Sequence, residues 1–551
     1  MKRWGQIMES KYILRATIAL LCASAAFATN AGEIVYTWST VANNGDLIPG
    51  TDKTFNSYNQ PAVNAHGMVV FRARSRGGQG QPEHGIYIRD MDELTPVATV
   101  FTRGGTVPQP NNALYNGQLA RFNEFPSVPR IDSGSDTIAT RAQSQPVWTF
   151  TLADGSDTRT GTAGVYANPQ GLPTTAASMV GDVPGFEYFQ VPIAEVAPGT
   201  GFDQFPGSPA VTERNTIVFK GNFAAGGVGK TGVFYRDIFA NGGVSPIDVI
   251  ASSYTPIPGS PSQTFGSTAP PSAAGKYVVF AGYDNEASPT LGGIYRARLG
   301  NKPIKLEKVV YVGDPVPGEA GQNFKTFGEA VSLSSNGRHA LFWASWGTET
   351  YDVRVFCPNE GNAAVRAYCL KVTGVGGMVM KVPVHQGFFV KDMQLGTIVP
   401  IAKTGSDGIK DFIYWNFSGR APGMGGGEGE PEDIEEPARW RTATFGAVSA
   451  TGIPSVSAFK ARTTDDKDGI FVREVLPSTV GNIVTLLKTG MPGSVVDKET
   501  PAGANITSVG IERDGFRGQW LAVTLGMAAE GGSEEESGWA GVYTARFAGL
   551  E

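Results

Sequence analysis

Three observations predict an all-β fold, a seven-bladed β-propeller of four-stranded antiparallel blades in which the N-terminal strand closes the last blade. A Gly-Ile/Val-Tyr/Phe motif, or its Gly-Phe-Phe variant, returns seven times along the 551 residues. The runs between copies read as short strands separated by Gly, Pro, Asn and Asp turns. Helical periodicity is absent beyond the first thirty residues. The copies are GIYIRD from Gly85, GVYAN from Gly164, GVFYRD from Gly232, GIYRA from Gly293, GFFVKD from Gly387, GIFVRE from Gly469 and GVYTA from Gly541. Counted from Ile86 through Val165, Val233, Ile294, Phe388 and Ile470 to Val542, they lie 61 to 94 residues apart, with a mean of 76. That is room for four strands and their loops. A repeated four-stranded sheet with no helices to cover it buries both faces by radial packing.

Within a unit each element has its own reason. GDLIPG at Gly45 to Gly50 opens the first, and similar turns recur at Gly181 and Gly313; recurrence marks them as structural. An aromatic pair follows, Phe55/Tyr58 here and Phe122/Phe125, Phe202/Phe205 and Phe324/Phe327 later, suited to the core between blades. The strand PAVNAHG then leads to the apolar strand MVVFRAR and to GIYIRD. GGVGKTG at Gly226 to Gly232 lacks the leading Gly of a phosphate-binding loop and runs into a strand, so it reads as a hairpin. The last unit ends without an outer strand. Ile34 to Val41 is expected to supply it, making residues 34–548 one domain.

Residues 1–31 read as a signal peptide: Lys2, Arg3, Lys11 and Arg15 precede an apolar run from Ala16 to Ala28 that is too short to span a bilayer. No transmembrane segment is expected, and the location implied is secreted or periplasmic. Four of the 45 basic and one of the 51 acidic residues fall in 1–31, which leaves 41 and 50 and a net charge near −9. Nucleic-acid binding is thereby disfavoured. The 72 Gly and 36 Pro accompany 10% aromatic residues, a turn-rich but not low-complexity composition. Cys357 and Cys369 flank PNEGNAAVRAY between two strand-like runs, and in an oxidising compartment they predict a disulfide that closes a hairpin.

These motifs resemble bacterial secreted proteins built from tandem propeller repeats with GDxxPG turns and NxxGxxxF segments, and they are distantly similar to TolB-type repeats. APPSAAGKYVVFAGYD followed by GGIYRA, and SLSSNGRHALFWAS, resemble the latter most. The resemblance spans residues 34–548, interrupted by insertions in units two, five and six. It implies the fold and carries no catalytic residues.

Chemistry must therefore be sought residue by residue. In such a blade the turns joining strands one and two, and three and four, lie on one face of the disc, and the remaining connections lie on the other. This separates His66 from His84 and His339 from His385, and His84 and His385 fall in distant units. Tyr58 is the one weak catalytic candidate; its simpler role is to replace the Phe of the aromatic pair. Trp148, Trp346, Trp415, Trp440 and Trp539 map to the face of the second-to-third-strand and inter-blade loops, where flat indoles would stack on sugars or other apolar partners. The competing reading buries each under its loop. Acidic runs at Gly427 to Pro437, Thr463 to Gly469 and Glu530 to Ser537 fall on the same face, and Glu432, Asp433, Asp466 and Asp468 are candidate Ca²⁺ ligands. The function implied is a monomeric exported propeller that binds a polysaccharide or protein partner. The alternatives are an extracellular polysaccharide lyase or glycoside hydrolase, or a structural component of envelope or matrix.

Overall fold

The computed structural model describes residues 34–549 apart from 77–81, 113, 116–117, 147, 152–154, 156, 161–162, 287, 301, 359–362, 419–437, 450–454, 477–478 and 530–537. The chain divides into Met1–Tyr36 and Thr37–Glu551. The first unit takes in the predicted leader, which lies outside the described residues. The second is a β-propeller of seven antiparallel four-stranded blades. Among the described residues no helix is long and apolar enough to cross a membrane.

Blade 1 sets the pattern. Its innermost strand comes in two stretches, Phe55–Tyr58 and Ala62–Val63, which both pair with Met68–Ser75; His84–Asp90 and the outer strand Ala98–Thr102 follow. The glycine of the recurring motif has a steric cause. The outer strand approaches so closely that a Cβ on Gly85 would lie 2.4 Å from the Phe101 carbonyl oxygen. Directly after the next residue, the pairing of third and outer strands slips by one in each of blades 1 to 6, a bulge repeated at one level. The motif's aromatic residue then meets the first member of the inner-strand pair edge to face. Ring centroids are 5.0 Å apart for Phe55/Tyr87, Phe122/Tyr166, Phe202/Phe234 and Phe324/Phe389, and 5.1 Å for Phe265/Tyr295. The aromatic pairs are thus core between blades, as their recurrence predicts.

Closure follows the same rule. The strand Tyr36–Asn43, two residues beyond the predicted span, forms the outer edge of blade 7 beside Trp539–Phe547. A Cβ on Gly541 would lie 2.7 Å from the Ala42 carbonyl oxygen. The strand from the chain's start therefore packs as any other outer strand does.

The insertions stand in blades 2, 5 and 6. Blade 2 adds the hairpin Trp148–Thr151 and Asp157–Thr160. Blade 5 lengthens its second and third strands to His339–Val355 and Met378–Asp392, with an α-helix at Ala363–Thr373 between them. That helix corrects the expectation of none beyond the leader. The disulfide Cys357–Cys369 forms, with Cα atoms 5.8 Å apart, but it ties the strand end to the helix and does not close a bare hairpin. Blade 6 interrupts its inner strand with a hairpin of Tyr414–Ser418 and Arg439–Ala443. In GGVGKTG the loop Gly226–Gly227 has positive φ at both residues, the geometry a two-residue hairpin turn needs.

Candidate functional site

The centre of the ring is filled. Between the two inner stretches of blade 7, Glu512, Arg513 and Asp514 fold into the channel. Asp514 accepts from Ser272 of blade 4 at 3.3 Å, and its carbonyl accepts from the Val63 amide of blade 1 at 3.1 Å. Arg130 of blade 2 donates to Glu512 at 2.6 Å and lies 3.3 Å from Asp514. Arg513 donates to the carbonyl of Pro271, and its own carbonyl accepts from Ser332 of blade 5 at 2.6 Å. Arg517 joins Asp514 and donates to the Leu333 carbonyl at 2.6 Å. Burial works to raise the pKa of Asp514, but Arg517, Arg130 and Arg513 outweigh it and hold the carboxylate below its usual range. The inner stretches touched here, Ala62–Val63, Arg130–Ile131, Ser272–Ala274 and Ser332–Leu333, are those nearer the first-to-second-strand turns. The Glu512–Asp514 segment therefore fills the centre toward that face.

Above the seal the repeat places one side chain per blade at an equivalent level. Opposite the Ile, Val or Phe of the seven motifs stand Arg72, Arg141, Lys220, Ala281, Trp343, Lys460 and Thr524. Four of the seven are basic. Arg72 binds Glu124 of blade 2 at 2.7 Å, and Arg141 donates to the Phe205 carbonyl of blade 3 at 2.7 Å. Both are cross-braces between blades. The amines of Lys220 and Lys460 have no hydrogen bond or ion pair among the described residues. Lys460 Nζ lies 3.9 Å from the ring centre of Tyr414 and 5.7 Å from that of Phe445. Burial, opposed by Asp468 and reinforced by Arg462, lowers its pKa to about 8. No recognisable motif marks this set in the sequence; the signal was the residue facing each repeat's Ile or Val.

The predicted tryptophans separate. Trp346 is buried in the core of blades 4 and 5, edge-on to Phe389 at 5.8 Å and stacked on His385, so it offers no face to a ligand. It lies in a strand, not a loop, as do Trp148, Trp415, Trp440 and Trp539. Trp440 packs against Phe417 at 5.4 Å and donates to Thr373 Oγ1 at 3.0 Å, joining the blade 6 hairpin to the helix of blade 5. Trp539 is half-buried and donates to Asp497 Oδ2 at 2.9 Å. The same carboxylate takes Tyr543 at 2.9 Å and Asn43 at 3.1 Å, so Asp497, unmarked in the sequence, secures the end of the closing strand. Trp415 is half-buried with its Nε1 unpartnered, and the side chain of Trp148 lies outside the described residues.

Tyr58 packs on Phe55 and Phe71 at 6.0 and 6.3 Å, with its hydroxyl buried and unpartnered. Burial, then Tyr543, Asp46 and Asp497, hold that hydroxyl protonated. Of the proposed Ca²⁺ ligands, Glu432 and Asp433 lie outside the described residues, as does the run 530–537. Asp466 is paired with Lys410, and Asp468 with Arg462 at 3.0 Å. Among the described residues no cluster of three or more metal-ligating side chains occurs. On the sealed face, Arg338, His339, Asp392 and Ser455 line a narrow cleft between blades 5 and 6. His339 Nε2 lies 3.5 Å from an Asp392 carboxylate that Arg338 already grips at 2.6 and 3.0 Å.

A family of unknown function (DUF7453) matches residues 29–138, which cover blade 1 and the start of blade 2. No curated protein matches. Among solved structures, a Trypanosoma rangeli sialidase in complex with 2,3-difluoro-KDN is 11% identical with a TM-score of 0.33, over 81% of this chain and 58% of that one. The chain thus spans under two thirds of that sialidase. A Hadza microbial sialidase is 11% identical with a TM-score of 0.26, over 60% and 63% of the two chains. Fructan 1-exohydrolase IIa from Cichorium intybus is 9% identical with a TM-score of 0.23, over 92% and 97%.

Proposed function

We propose that this chain is an exported propeller that binds an extracellular glycan at the mouth of its channel without cleaving it. The observation that carries the reading is a centre filled at one end, with the amines of Lys220 and Lys460, at an equivalent level of their blades, making no hydrogen bond or ion pair among the described residues. A channel closed at one end would take a ligand from the other end only. These lysines favour a polysaccharide bearing carboxylates or sulfates. Export rests on the leader-like residues 1–31 and on the disulfide, which an oxidising compartment maintains. Binding is preferred to catalysis because Tyr58 is enclosed by its own blade and His339 and Asp392 are held by Arg338 on the opposite face.

The test is a panel of acidic and neutral polysaccharides, scored for retention and for products. Retention of acidic chains without new reducing ends or unsaturated products is expected. The double variant Lys220→Gln/Lys460→Gln should weaken retention by roughly 1 to 3 kcal/mol. Because the pKa of Lys460 is lowered to about 8, its contribution should be full below that pH and fade as pH rises through it. Cleavage products would establish the hydrolase or lyase reading instead. Retention unchanged in the double variant would remove the mouth as the site.

A further inference from the structure

The ionic hub is short of acceptors. Arg130 and Arg513 stand at the centre of the ring, 2% and 5% exposed. A guanidinium carries five N–H donors and no acceptor, so burial obliges it to find partners for them. Arg130 spends Nη2 on Glu512 at 2.6 Å; its Nη1 lies 3.3 Å from Asp514 without forming a hydrogen bond, and its Nε has no partner among the described residues. Arg513 gives both terminal nitrogens to neutral carbonyls, Pro270 at 3.2 Å and Pro271 at 2.8 Å, and its Nε is likewise unpartnered. The two groups are neighbours, because Glu512 Oε1 lies 2.6 Å from Arg130 Nη2 and 4.0 Å from Arg513 Nε.

The charges in contact do not balance. Arg130, Arg513 and Arg517 meet two carboxylates, Glu512 and Asp514, and Asp514 is shared between Arg517 and Arg130. The next acids do not supply the difference. Asp132 is buried, but its carboxylate accepts from the Ser135 hydroxyl at 2.8 Å and from the backbone amides of Gly134, Arg214 and Ser133, and it forms no ion pair with the three arginines among the described residues. Glu329 acts on Arg513 from an exposed position, where solvent screens it. Burial, then Arg130, lowers the Arg513 pKa to about 10, the direction that follows from too little counter-charge. Water would accept from the orphaned N–H groups without supplying charge, whereas an anion does both. We propose that a small monovalent inorganic anion of the chloride type binds between Arg130 and Arg513 and accepts from their Nε atoms, as a structural ligand at the centre of the ring. A single charge suits the place, since Glu512 and Asp514 would repel a multiply charged ion such as phosphate. The proposal does not depend on glycan binding at Lys220 and Lys460.

Thermal melts of the full chain at fixed ionic strength, with sodium chloride exchanged for sodium gluconate, test it. The melting temperature should fall as chloride is withdrawn and recover with bromide, rising with the logarithm of halide concentration once the site fills. Arg513→Gln should melt alike in both salts, because the excess charge is gone. Should that variant not fold, crystals of the parent grown in bromide decide, and an anomalous peak beside Arg130 and Arg513 is expected. Water at that place, or bromide at surface positions as an adventitious ion only, would overturn the proposal. So would a parent that melts alike in chloride and gluconate, or an Arg513→Gln variant as halide-dependent as the parent.

Discussion

His84 and His339 show what burial does to a titrating side chain in this ring. His84 lies edge-on to Phe125 at 5.7 Å with Nε2 unpartnered, and His339 has an unpartnered Nδ1. Burial lowers both pKa values; Glu124 opposes the shift at His84, and Asp392 opposes it at His339. The unfolded chain takes up these protons near the ordinary value of about 6.5, whereas the folded chain resists them until the pH is lower. Stability should therefore decline as pH falls below that value, with the loss complete under the folded pKa values. Thermal melts from neutral to mildly acidic pH should show the decline, and His84→Gln/His339→Gln should flatten it; a double variant as acid-sensitive as the parent would assign the effect elsewhere. At this scale the sequence was partly readable. It separated the histidines by face, but which atoms would lie unpartnered depends on neighbours such as Phe125, 41 positions away in the chain. The same limit explains Trp346, whose burial depends on Phe389 across the hairpin and cannot be told from exposure by residue type.

Elements that repeat were legible, and elements that occur once were not. The Gly-Ile/Val-Tyr/Phe motif reports a close approach made seven times, so recurrence alone located every third strand. The helix Ala363–Thr373 has no such signal. It has Ala at its first two positions but only one fully buried residue, Cys369, so an amphipathic stripe is nearly missing from AAVRAYCLKVT. Eleven residues are marginal as an isolated helix, and tertiary ties hold this one. Reduction of Cys357–Cys369, or Cys369→Ser, should therefore loosen the helix more than the ring. A cross-link over a sequence separation of 12 is worth at most about 3 kcal/mol. Limited proteolysis should cut between residues 358 and 376 after reduction while the remaining blades stay intact. Cleavage spread evenly over the blades would show that the disulfide supports the whole ring.

At the scale of the whole molecule, the seal touches several blades at once. Glu512, Arg513 and Asp514 contact the inner strands of blades 1, 2, 4 and 5, an ionic hub where repeat proteins otherwise have only neighbour-to-neighbour contacts. Asp514→Asn would leave Arg517 and Arg130 buried with less counter-charge and should cost about 3 to 5 kcal/mol, read as a lower melting temperature with the transition still single. A loss confined to blade 7, seen as a separate early transition, would mean the hub does not couple the blades. The sequence disclosed the number of blades and the closing strand but not this hub, because ERDG at Glu512 to Gly515 looks like any polar turn. Closure also imposes a schedule. The strand that finishes the ring is made first, and its place beside Trp539–Phe547 does not exist until almost 500 residues later. At about 5 to 20 residues per second, that edge waits on the order of half a minute or more with its backbone unpaired. Until then the newborn chain is an open arc with two adhesive ends, and whatever accompanies it must keep the first of them from finding a neighbour's last blade before its own.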